Sequence, residues 1–155
     1  MNDWWSLLFD FSDYGELIVL LQNSILAGAV LVSFASPRLS ERSLRESDRA
    51  LDENDFGDAL SNALHARSFN PYSTAPVLAL AHIAQRQGIP EAAERRYAQA
   101  VELQPENPET WYALGIFEFY VRRNMCAAHR YLQTSWNLDP AGDQWLPGGE
   151  LDRSR

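Results

Sequence analysis

The chain has 155 residues, enough for one domain and a further segment. Its 21 acidic residues outnumber 13 basic ones, all of them arginine, and the net charge of −8 excludes a broad nucleic-acid-binding surface. A single cysteine excludes an internal disulfide framework, and no CxxC, HExxH, P-loop, GxGxxG or GxSxG pattern occurs, so the expectation is a non-enzyme without cofactor or metal.

Charge is unevenly spread. Residues 1–36 hold four acids (Asp3, Asp10, Asp13 and Glu16) and no base. Residues 1–16 form an acidic segment that also carries Trp4, Trp5, Phe9, Phe11 and Tyr14. After Glu16 come 21 uncharged residues up to Arg38, and Leu17 to Ala35 reads LIVLLQNSILAGAVLVSFA. As a helix, that stretch spans roughly 28 Å, close to the hydrocarbon thickness of a bilayer. Apolar residues fall on every side of it, and Pro37 breaks the chain after it. The expectation is a transmembrane helix over 17–37. Gln22, Asn23 and Ser24 interrupt it and suit hydrogen bonds to other spanning helices, with Ser24 and Gly28 as a small-xxx-small pair. A buried helix of a soluble domain is one alternative. A signal peptide cleaved after Ala35 is another, although the preceding region is long and acidic rather than short and basic.

Arg38, Arg42, Arg45 and Arg49 follow the apolar stretch, and no base precedes it. The positive-inside rule therefore puts the C-terminal side in the cytoplasm, giving a single-pass membrane protein. The N-terminal aromatic residues then lie at the outer interface or pack against other protein.

From residue 38 to 140 the chain repeats. A shift of 34 maps Ala59 to Ala93, Ala66 to Ala100, Phe69 to Leu103 and Pro71 to Pro105. A shift of 35 then maps Ala93 to Ala128, Ala100 to Ser135, Leu103 to Leu138 and Pro105 to Pro140. Because Leu80 and Ala81 map to Leu114 and Gly115 at 34, the extra residue falls between Leu114 and Ala128, and the turn around Arg122–Met125 is the expected place. Three units result: a degenerate 40–71, then 74–105 and 108–140. Helices are expected at 40–53, 56–69, 74–87, 90–103, 108–122 and 125–138. Asn107 and Pro108 suit a helix start, and Gly88 with Pro90 a tight turn.

These residues resemble the tetratricopeptide repeat family. Its W-x2-L-G stands as Trp111, Leu114 and Gly115. Its small residue opening the second helix stands as Ala93 and Ala128, followed by Tyr97 or Leu132, then Ala100 or Ser135, then Pro105 or Pro140. The middle copy has Val77 for Trp and Ala81 for Gly, and residues 40–54 hold neither W nor G. The resemblance implies a short α-solenoid of about three helical hairpins, which with the transmembrane helix expected from the apolar stretch makes an all-α chain. First helices of such hairpins line a concave groove. The partner-binding candidates are Leu78, His82, Gln85 and Arg86 from one unit and Tyr112, Ile116, Phe119 and Tyr120 from the next. An aromatic groove with one Arg and one His suits a protein or peptide ligand with apolar anchors, and it lacks the Lys and Asn of a carboxylate clamp. Equally open is that this face packs against the protein's own membrane part or tail.

Cys126 and His129 lie three apart on one expected helix without a third group and are assigned no chemistry. Residues 141–155, with Pro147-Gly148-Gly149, form an irregular tail in which Trp145 is placed to fold over the last hairpin. More loosely, residues 17–152 resemble the C-terminal end of bacterial O-antigen ligase-type membrane proteins, in which repeats follow the last spanning helix. The functional expectation is therefore a membrane-anchored, non-enzymatic adaptor or scaffold for protein–protein interaction. The alternative is an accessory part of an envelope glycopolymer ligase or polymerase whose catalytic helices and loop are absent from this chain. A secreted repeat protein is the third reading.

Overall fold

The alternation of helix-forming runs with Asn, Gly and Pro punctuation predicts antiparallel helices, and these are what form. The structure, a computed structural model, describes residues 37–145. The acidic aromatic segment and the apolar stretch lie outside the described residues, as does the tail beyond Trp145. From Leu39 onward the described residues fall in a single unit. Among the described residues there is no strand, and no helix is long and apolar enough to cross a membrane.

The helices are α1 (described over 37–52), α2 (Phe56–Phe69), α3 (Ala75–Arg86), α4 (Pro90–Leu103), α5 (Pro108–Phe117) and α6 (Met125–Leu138). The second helices α2 and α6 start at matching side-chain caps, while α4 starts at Ile89 with Pro90 in its first position and no side-chain cap. The Asp55 side chain accepts from the Asp58 amide at 3.0 Å, and that of Asn124 from the Ala127 amide at 3.2 Å. At the start of α5, Asn107 accepts from the Glu109 amide, and Pro108 occupies the first helical position, where its missing N–H costs nothing.

The turns inside the hairpins locate the extra residue. Asn54, Gly88 and Arg123 all adopt left-handed backbone, with φ of 59°, 73° and 57°. In the first two hairpins the next amide reaches back five residues, Asp55 to the Ala50 carbonyl and Ile89 to the Ala84 carbonyl, which is the Schellman closure. In the third, the Asn124 amide reaches back six, to the Glu118 carbonyl at 2.9 Å. The insertion therefore sits inside the helix, not in the turn around Arg122–Met125. Residues Glu118–Arg122 wind as a π turn that continues α5, so the single helix expected over 108–122 changes pitch at Glu118.

Small residues let the helices of each hairpin cross closely. A Cβ on Gly115 would stand 2.8 Å from two Leu132 side-chain atoms, which explains why glycine is needed there. In the preceding hairpin Ala81 stands at the position of Gly115, and it and Ala93 are both fully buried in one core cluster. In the first hairpin Ser47 takes this place and donates its hydroxyl to the Ala59 carbonyl at 2.8 Å. Ser40 likewise bonds the Ala66 carbonyl, and Ser135 the Pro108 carbonyl, tying the far ends of the outer hairpins.

Helix α3 is buried on nearly every side and serves two cores. Its Val77, Leu78, Ala81 and Ala84 pack with Ala93, Tyr97, Ala100, Leu114 and Phe117. Its Ala79, Leu80 and Ile83 pack with Ala50, Ala59 and Ala63, flanked by Leu44, Leu51 and Phe56. After α6 a short turn at Asp143–Trp145 folds back. The Trp145 indole donates to the Asp139 carbonyl six residues earlier, as the Trp111 indole does to the Pro105 carbonyl.

Candidate partner-binding face

A first helix keeps its buried stripe for its hairpin and neighbours, so only the remaining side chains can meet a ligand. On α3 those are few. His82, Gln85 and Arg86 are exposed, while Leu78, at 8% exposure, belongs to the core. Arg86 is drawn toward the end of α1, where its guanidinium donates to the Asn54 side-chain oxygen at 3.0 Å and the Leu51 carbonyl at 3.4 Å. On α5 Tyr112 is 9% exposed, with the Trp145 ring edge-on at 5.5 Å. Leu78 and Tyr112 are thus floor rather than contact surface: α3 is wedged between two cores, and the returning tail lies against Tyr112. Ile116 is half-buried, and Phe119 and Tyr120 stand exposed on the π turn, their rings 4.8 Å apart and nearly perpendicular.

Tyr97 of α4 supplies the base beneath this face. Its hydroxyl donates to the Gln85 side-chain oxygen at 3.0 Å, its ring meets His82 edge-on at 5.8 Å, and Phe117 packs against it at 5.1 Å. Burial pushes the Tyr97 phenol well above the usual tyrosine range, so it remains a donor. From the sequence Tyr97 was legible as the motif residue that follows Ala93 on the second helix; its bond to Gln85 depends on how α3 and α4 cross.

The π turn also buries a charge. Glu118 is 4% exposed. Burial raises its carboxyl above the ordinary glutamate value, and the nearby Glu94 carboxylate raises it further, while Arg122 and a hydrogen bond with the Asn124 side chain act the other way. Arg122 lies 3.4 Å from both Glu91 and Glu94, joining the π turn to α4. The repeat marks this position as buried, since Glu118 stands 34 and 68 residues after the buried Ala84 and Ala50; what it does not mark is a carboxylate held there.

Elsewhere, a depression of about 550 Å³ follows α4, lined by Ala92, Arg95, Arg96, Ala98, Gln99 and Glu102. Its described lining comes from one helix, so it offers no second wall to orient a ligand. Cys126 is exposed, and among the described residues no group of three His, Cys, Asp or Glu is placed to hold a metal.

The tetratricopeptide repeat family matches residues 74–117, which run from the start of α3 to the end of α5. No curated protein matches the sequence. Solved structures share the fold at low identity. The first TPR of Spaghetti (RPAP3), bound to the HSP90 peptide SRMEEVD, aligns with a TM-score of 0.56 and 14% identity over 68% of this chain and 83% of that one. The Arabidopsis OM64 TPR domain aligns at 0.56 and 15% identity over 69% and 88%. The CopN–Scc3 complex gives 0.54 and 18% identity over 74% and 65%. The likeness to O-antigen ligase-type proteins gains no support from these comparisons. Residues 74–117 match the tetratricopeptide repeat, and the helical hairpins around them form an all-α solenoid with the fold of tetratricopeptide domains.

Proposed function

We propose that this protein is a non-enzymatic adaptor that holds a protein or peptide segment on the face formed by its first helices, tethered to the membrane by residues 17–35 with the repeats on the cytoplasmic side. Tetratricopeptide folds imply protein–protein interaction, and the one observation that carries the reading here is the Phe119–Tyr120 pair. The π turn holds two large aromatic side chains at the solvent, where neither belongs to a buried core cluster. Exposed aromatic rings of this kind act as anchors for a partner's apolar side chains. The solved neighbour bound to an HSP90 peptide supports a peptide as one form of ligand.

The tether rests on the sequence alone: 19 uncharged residues of roughly 28 Å helical length, followed by arginines. The alternative, an accessory part of a glycopolymer ligase or polymerase, has no structural observation in its favour.

Two measurements test the proposal. Alkaline-carbonate extraction of membranes from cells expressing the full-length chain with a C-terminal tag is expected to leave it in the pellet; release into the supernatant removes the tether. Crosslinking followed by mass spectrometry in the same cells is expected to recover a protein joined at the Phe119–Tyr120 surface. Phe119→Ala with Tyr120→Ala should abolish that product without lowering the melting temperature, and an unchanged product rejects this face as the partner site.

A further inference from the structure

Helices α1, α3 and α5 are equivalent first helices, and their close crossings at Ser47, Ala81 and Gly115 set a common register 34 residues apart. One residue after each crossing stand Asp48, His82 and Ile116; five after stand Asp52, Arg86 and Tyr120. Residues four apart share a face of an α-helix, so Asp48 with Asp52 and His82 with Arg86 lie on the concave side, and on α5 the row starts at Ile116 and passes into the π turn that carries Tyr120. The face that sequence reading confined to two units therefore continues onto α1, where the missing W and G hid it.

Its chemistry changes along the array. At the α1 end Asp48 and Asp52 are exposed, and neither lies in an ion pair among the described residues. Glu41 shares their side of α1, and Glu109 opens α5 at the position equivalent to Ala75 on α3. Against these four acids stand two arginines. Arg45 sits one turn from both Glu41 and Asp48, and Arg86 is already bonded to Asn54 and the Leu51 carbonyl. At the other end the surface becomes aromatic, with Phe119 and Tyr120.

We infer that this face takes an extended peptide segment carrying Arg or Lys toward α1 and an aliphatic or aromatic side chain toward the π turn, rather than an acidic peptide. The inference rests on the adaptor reading and adds the partner's chemistry. The excess carboxylates attract a cationic segment and repel an acidic one, while the ring pair provides the apolar contact.

The test is to pan a phage-displayed random dodecapeptide library on the full-length chain and measure a recovered peptide, fluorescein-labelled, by anisotropy. Recovered sequences are expected to be enriched in Arg or Lys together with apolar residues. Asp48→Asn with Asp52→Asn, both exposed changes away from the core, should weaken the labelled peptide about tenfold, with the difference shrinking at high salt. Recovery of acidic sequences, or an affinity indifferent to the double substitution, overturns the cationic assignment and leaves the adaptor reading standing. Recovery of no peptide that depends on Phe119 and Tyr120 overturns both.

Discussion

At Arg123 a non-glycine residue is held at φ 57°, where its Cβ crowds the following carbonyl. The equivalent position in the preceding hairpin is Gly88, at φ 73° with nothing within 4 Å of a built Cβ. Arg123→Gly should therefore stabilise the protein by about 1 kcal/mol, and Gly88→Ala should destabilise it by a similar amount, both measured by urea unfolding. Gly115→Ala meets the opposite obstacle: its new methyl enters the Leu132 side chain and lies 3.2 Å from the Leu132 backbone nitrogen. A loss of roughly 1–3 kcal/mol is expected despite the better helix propensity of alanine. Glu118 introduces a pH dependence. Its folded-state carboxyl titrates above the unfolded value, so the contribution to stability is fully present in acid and is lost as pH rises through the folded pKa. Glu118→Gln should then gain in melting temperature relative to the parent as the pH is raised from about 4 to 7, and parallel curves would show that the carboxyl titrates normally.

At the level of elements, most of the helix pattern is legible in the sequence, because small residues at 34-residue spacing can only be the tight contacts of stacked hairpins. Ala59, Ala93 and Ala128 mark the second helices directly. Ser47 was not legible: its role in place of Gly or Ala depends on a hydroxyl that finds the Ala59 carbonyl across the hairpin. The extra residue was countable but not locatable. An insertion in a turn and one in a helix leave the same spacing, and only the backbone bond from Asn124 to Glu118 distinguishes them. The candidate face was half legible. His82, Gln85, Arg86, Phe119 and Tyr120 reach solvent, whereas Leu78 was claimed by packing and Tyr112 by the tail, both tertiary effects. Deleting Val121 should convert the π turn to regular helix and restore the 34-residue unit. Circular dichroism is expected to show a cooperative melt for that deletion. Removing Ala98 instead displaces Ala100 from its buried place in α4 and should abolish cooperative melting.

Considered as a whole, the array from α1 to α6 is closed at its far side by a short return of the chain. The Trp145 ring stands 5.5 Å from both Tyr112 and Trp136. Trp145→Ala should cost roughly 1–3 kcal/mol and raise amide exchange in α6 before α2, read by hydrogen-exchange mass spectrometry; uniform acceleration would mean that the ring does not close this end.

The double duty of α3 bears on how this protein yields under load. Stacked repeats that touch only their neighbours can peel away one at a time from an end. Here Ala79, Leu80 and Ile83 anchor one side of the central helix while Val77, Leu78, Ala81 and Ala84 anchor the other. Tension applied through either end is borne by the same twelve-residue helix, so the array should rupture in a single event rather than in steps when pulled from its two ends in a single-molecule force measurement.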